Sequence, residues 1–136
     1  FKPYSINGHR HSAEIYEVFK DRKKVNLNFS FIPHLLPITK GILVTIHTNI
    51  EYSDLIFETM KKFYSNSPFV KILPKGFVAE LKMVLNTNNA LISLHHDQNN
   101  NLIICGVLDN LIKGASGQAV QNMNLALGFD ETTSLI

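Results

Sequence analysis

Two imidazoles and a guanidinium fall within four residues near the start of the chain, in Gly8-His9-Arg10-His11. Imidazoles at i and i+2 can move a proton between them, hold an anion or contribute two ligands to a metal. Zinc wants three or four ligands, and the other histidines, His34, His47, His95 and His96, have neither cysteine partners nor ligand spacing, so no metal is expected. An HxH in a loop is often only a polar turn. Here Arg10 and a helix start after Ser12, the expected N-cap, both favour a nearby anion. A second stretch that could do chemistry is Lys113-Gly114-Ala115-Ser116-Gly117-Gln118, which opens a glycine-studded helix. It is neither GxGxxG nor GxxxxGK[ST], so its glycines serve either an anion or close helix packing. His34, between Pro33 and Pro37, and Lys40, before Gly41, could each meet a carboxylate or phosphate, or simply cap a loop or be solvated. His95-His96-Asp97 reads as hairpin surface.

The elements that must position these groups follow from periodicity and punctuation. Residues 1–8 read as an extended lead-in, and residues 13–22 as a short helix with Ile15, Val18 and Phe19 on one face. Alternation of Val25, Leu27, Phe29 and Phe31 with polar residues predicts a strand over 25–31, ended by Pro33. Between the prolines, His34-Leu35-Leu36 is expected to be irregular. Residues 41–50 predict a strand. Ser53 then caps a helix to about residue 64 that buries Ile56, Met60 and Phe63. Further strands are expected over 69–73 and within 77–86, and a hairpin joins 90–95 to 102–108 across an Asx-rich turn. The closing helix, about 112–127, carries Ile112, Ala115, Ala119, Met123 and Leu127 near one face and stops at Gly128. The sum is one α+β domain over 1–136, with a mixed or mainly antiparallel sheet and helices on a face.

Bulk composition narrows the function. A hydrophobic share of 45% and a charged share of 18% belong to a globular chain. The net charge of +2 is spread out except at residues 20–24, a solvated helix end, so no nucleic-acid partner is expected. No apolar run approaches about 20 residues, so no membrane partner is expected either. Cys105 sits in an apolar run as a small strand residue without a disulfide partner, which fits a reducing compartment, the cytoplasm. A chain that starts at Phe1 is expected to begin inside a longer protein.

Read together, GHRHSAEI (residues 8–15), FIPHLLPITKGILVTIHT (31–48) and LDNLIKGASGQAVQNMNLALGF (108–129) resemble the carboxy-terminal domain of the N-acetyl-gamma-glutamyl-phosphate reductases, in order and over nearly the whole chain. The resemblance implies an NADPH-dependent enzyme of arginine biosynthesis that reduces N-acetylglutamyl 5-phosphate to its semialdehyde with release of phosphate. It implies a fold like that of aspartate-semialdehyde and glyceraldehyde-phosphate dehydrogenases, in which a Rossmann domain precedes this domain and receives its last helix. It also implies assembly through the sheet into a homodimer or homotetramer.

In such an enzyme a cysteine thiolate attacks the acyl phosphate, and a histidine supplies the base. His9 is the first candidate, and His11 is the second or an orienting partner. Arg10, His34 and Lys40 would neighbour the substrate carboxylate or phosphate, although Lys40 stands where many relatives carry arginine. Asn110 would approach the nicotinamide of NADP, with Gly114 and Gln118 beside it on the cofactor side. Leu85 stands where relatives tend to show arginine, so no substrate contact is assigned to this stretch. The nucleophile and the dinucleotide fingerprint lie outside this chain, and Cys105 is not their substitute, so the 136 residues alone are expected to be inactive. The competing reading is a non-catalytic interaction module whose sheet assembles and whose histidines are incidental.

Overall fold

The computed structural model describes residues 1–23 and 28–135, with side chains of 22 and 23 left aside. Its contacts group into two units, Phe1–Thr39 and Lys40–Ile136.

In the first unit, β1 (Lys2–Pro3), α1 (Arg10–Lys23) and β2 (His34–Leu35) follow in order. β1 and β2 pair antiparallel, Lys2 opposite Leu35, and the Tyr4 N–H extends the pairing by donating to the Pro33 carbonyl at 3.0 Å. His34 and Leu35 are therefore bridged rather than irregular. Proline cannot donate to a ladder, and here Pro33 contributes only its carbonyl. α1 starts earlier than the sequence indicated. Ser12 lies inside its first turn and donates its N–H to the His9 carbonyl at 2.9 Å, so His9, not Ser12, occupies the N-cap. Ile15 is half-buried, whereas Val18 and Phe19 stand exposed. Of the strand expected over 25–31, residues 25–27 lie outside the described residues, and 28–31 take no regular structure.

The second unit is built on β3 (Ile42–Glu51), α2 (Asp54–Phe63), β4 (Val70–Ile72), β5 (Ala90–His96), β6 (Asn101–Leu108) and α3 (Gly117–Leu127). The strands form one mixed sheet in the order β3-β6-β5-β4, antiparallel except for the parallel β4/β5 pair. The hairpin is as expected. Asp97 Oδ1 accepts the N–H groups of Asn99 and Asn101 at 2.8 and 2.9 Å, which closes the turn. Side-chain period two then sorts the core. Leu91 and Val107 face a segment carrying Ala79 and Val84, while Leu94 and Leu102 face α2 through Phe57.

Ser53 caps α2 by accepting the Ile56 N–H at 3.4 Å, and Lys61 and Lys62 sit in its last turn, where the helix dipole favours cations. The buried ring is Phe57. Phe63, expected inside, is 77% exposed: it lies about 120° around the helix from Phe57 and packs edge-on against Tyr64. The strand expected within 77–86 is replaced by a short 3-10 helix, Leu81–Met83. Its N–H groups are spent locally, Met83 on Glu80 and Val84 on Leu81, and the Val84 side chain plugs the core. The closing helix comes in two parts, a π-helical turn Ile112–Ser116 and then α3, which ends at Gly128 in the left-handed conformation (φ 73°) that glycine adopts at little cost.

Candidate functional site

Local capping brings His9 and His11 together. His9 Nδ1 accepts the backbone N–H of His11 at 3.2 Å, and the two rings meet edge to face at 4.6 Å. Tyr4 and Phe31 close around His9 at 5.5 and 5.4 Å, and Phe31 also borders His11 at 6.1 Å. Because Nδ1 of His9 is an acceptor in this bond, the proton of its neutral ring resides on Nε2. The exposed His11 ring makes no hydrogen bond to the described residues, so it keeps a free lone pair. Arg10 occupies the first helical position, exposed and without an ion pair among the described residues. His34 is engaged elsewhere within the unit: its Nδ1 donates to the Ile32 carbonyl at 3.1 Å, and the ring stacks on Phe1 at 5.7 Å.

In the second unit the centre is a residue the sequence reading passed over. Asp109 has a fully buried carboxylate. Its Oδ1 accepts the N–H groups of Leu111 and Ile112 at 2.9 and 3.3 Å, an Asx turn, and its Oδ2 accepts the Asn86 N–H at 2.8 Å. Lys40 Nζ lies 3.1 Å from the same Oδ2 and donates to Asn86 Oδ1 at 2.5 Å. The Asn86 N–H, then burial opposing it, then the Leu111 N–H and Lys40, hold the Asp109 carboxyl below the usual carboxylate range on balance. An Asp-Asn pair at the end of a strand and ahead of an apolar run is an Asx-turn signal, and that pattern could have found it.

Beside this hub, Asn110 Oδ1 accepts the Gly41 N–H at 2.6 Å. Gly114 is exposed, and a Cβ there would meet only ordinary contacts, the nearest being Asn110 and Leu108 at 3.6 Å. Gln118 is spent internally, accepting from Lys113 Nζ at 2.8 Å and donating to Asn122 at 3.0 Å. Lys113 also donates to Gln121 at 2.7 Å and lies 5.7 Å from the Phe69 ring centre; burial pushes its pKa down, against an opposing pull from Glu131. Of the expected cofactor-side residues, Asn110 alone offers an uncommitted polar atom, its Nδ2. Among the described residues no group of three or more His, Cys, Asp or Glu side chains is placed to share a metal ion, and no helix is long and apolar enough to cross a membrane.

Residues 1–110 match a family model described as semialdehyde dehydrogenase, dimerisation domain. An N-acetyl-gamma-glutamyl-phosphate reductase of Clostridium kluyveri is 46% identical over 99% of this chain and 40% of that protein. One of Brachyspira hyodysenteriae is 44% identical over the same shares. The chain thus spans about 40% of the length of these relatives. The structure of aspartate semialdehyde dehydrogenase II from Vibrio cholerae aligns with a TM-score of 0.48 and 18% identity, over 68% of this chain and 28% of that one.

Proposed function

Since the chain belongs to the semialdehyde dehydrogenase family as its dimerisation domain, we propose that it is the catalytic and oligomerising part of an NADP-dependent N-acetyl-gamma-glutamyl-phosphate reductase of the cytoplasm. The two reductases that share nearly its whole length support this reading. The observation that carries it is the His9–His11 pair at the start of α1. One ring is tied down as a helix cap, and the other keeps a nitrogen free to take a proton.

The reaction converts an acyl phosphate into an aldehyde. A thiol from outside this chain loses its proton to an imidazole, its sulfur forms a thioester as the C–O bond to phosphate breaks, and phosphate leaves. The nicotinamide nucleotide, when bound, supplies the hydride. The imidazolium returns its proton to the thiolate released with the aldehyde. His9 can serve as the base only by giving up its bond to the His11 N–H, which supports His11 as the base with His9 as its orienting neighbour, the reverse of the order expected from the sequence. Arg10, exposed beside them, supplies positive charge for the substrate carboxylate or phosphate.

In the complete reading frame, phosphate release in a single turnover without NADPH reports on thioester formation, the half-reaction that needs the base, apart from hydride transfer. His11→Ala should slow it by about a hundredfold or more, and His9→Ala by less. Unchanged phosphate release in both variants would sink the proposal.

The oligomerising role rests on β3, an edge strand whose Ile42, Val44 and Ile46 share one face and stand between 40 and 48% exposed. A second copy of the chain covering that face makes a homodimer, or a homotetramer if two such dimers associate. The 136 residues contain one cysteine, Cys105 in the middle of β6, and no dinucleotide fingerprint, so the chain alone should not turn over the acyl phosphate.

A further inference from the structure

On that functional reading, we propose that Lys40 and Asp109 form a positioning pair that decides which end of the Asn110 amide is offered to the nicotinamide nucleotide. Lys40-Gly41 and Asp109-Asn110 are consecutive dipeptides that meet at two points. Lys40 Nζ lies on Asp109 Oδ2 at 3.1 Å, and the Gly41 N–H donates to Asn110 Oδ1 at 2.6 Å. Gly41 holds φ at 111°, a backbone conformation side-chain-bearing residues rarely adopt, and so aims its N–H at the asparagine.

Turning the Asn110 amide over would set its NH2 against the Gly41 N–H, two donors face to face, so Oδ1 must point inward and Nδ2 outward. The free end is therefore a donor. It suits an acceptor on the ligand, a carboxamide or phosphate oxygen. Lys40 holds this arrangement from behind, because a carboxylate with no exposure needs its charge balanced, and the Leu111, Ile112 and Asn86 N–H groups leave one position of Asp109, which the ammonium fills. With two of its three Nζ donors committed to Asp109 and Asn86, Lys40 acts through Asp109 on the cofactor side.

The test separates KM values in the complete reading frame. Lys40→Met and Asn110→Asp should each raise KM for NADPH about tenfold, the scale of one lost hydrogen bond. KM for the acyl phosphate should stay within about twofold, and Lys40→Arg, which can still pair with Asp109, should restore the NADPH value. Asn110→Asp keeps an acceptor for Gly41 and replaces the donor with an anionic oxygen, so it tests the donor; Lys40→Met/Asp109→Asn, which strands no buried carboxylate, tests the pair if Lys40→Met does not fold. A rise in the acyl-phosphate KM instead, or an unchanged NADPH KM in the folded variant lacking the Lys40 ammonium, overturns the pair's role. A wild-type frame that never oxidises NADPH with the acyl phosphate overturns the functional reading. The clamp is then judged in the 136-residue chain, where Asn110→Ala must move the Gly41 amide-proton resonance upfield and an unmoved resonance refutes it.

Discussion

His9 caps α1 with an imidazole, and the cap can be tested apart from the ring by substitution. Its ring caps α1 through the His11 N–H, and loss of a side-chain cap typically costs ~1 kcal/mol. His9→Asn, which can cap without an imidazole, should keep α1 amide protons protected from exchange, while His9→Ala should expose those of its first turn. Equal protection in both variants would mean that the cap contributes nothing. Asp109 makes a pH prediction. Its folded carboxyl titrates below the usual value of 3.8, with the Asn86 N–H as the largest cause. A depressed pKa stabilises the fold fully above 3.8 and loses that contribution as pH falls through the lower folded value. The urea midpoint of the chain should therefore drop on acidification below 3.8, and Asp109→Asn should flatten the drop. The spacing of His9 and His11 was legible in the sequence. Which ring keeps a free nitrogen was not, because that depends on where the helix begins, and a histidine cap is outside the usual Ser, Thr, Asp and Asn signal.

At the scale of elements, α3 turns a polar and small face inward. Gly117, Gln121 and Asn124 are buried, whereas Ala115, Ala119, Met123 and Leu127, the stripe read from periodicity, are exposed. Asn124 Nδ2 donates to the carbonyls of Glu131 and Thr133 at 3.3 and 2.9 Å, which folds the tail back onto the helix. Gln121 accepts from Asn88 at 3.0 Å and donates to Glu131 at 2.6 Å. Periodicity marks a helix and its faces, but it cannot say which face its own unit covers when buried amides find partners in distant loops. A Cβ at Gly117 would collide with Asn88 Oδ1, a buried atom without a hydrogen-bond partner among the described residues, and would lie 2.8 Å from Ile112 Cγ2. Gly117→Ala should therefore destabilise the chain by about 1–3 kcal/mol in urea unfolding, despite a helix-propensity gain of ~1 kcal/mol. Gly106→Ala, with nothing within 4 Å of its added carbon, should be close to neutral. A stabilised Gly117→Ala would show that α3 sits free of Asn88. On α2, Phe57→Ala should cost about 3–5 kcal/mol, and Phe63→Ala far less.

For the whole molecule, the sheet leaves an apolar strand at its edge, a feature that proteins cover or blunt. Paired lysines at Val44→Lys and Ile46→Lys should convert a dimer to a monomer in analytical ultracentrifugation without altering the circular dichroism spectrum. A wild-type chain that sediments as a monomer at high concentration would refute assembly through β3. The sequence by itself determined the α+β class, the hairpin over Asp97, the Ser53 cap and the Gly128 stop, because each is written in contiguous residues by periodicity, capping or turn chemistry. The motifs 8–15, 31–48 and 108–129 also carried the family. Only the tertiary structure decided that Phe57 and not Phe63 fills the core, that α3 faces inward with amides, and that Gly41 meets Asn110 across 69 residues of sequence. Those outcomes depend on strands and loops brought together from far along the chain, where a buried charge or amide takes whichever partner the packing delivers, and no local pattern records that choice.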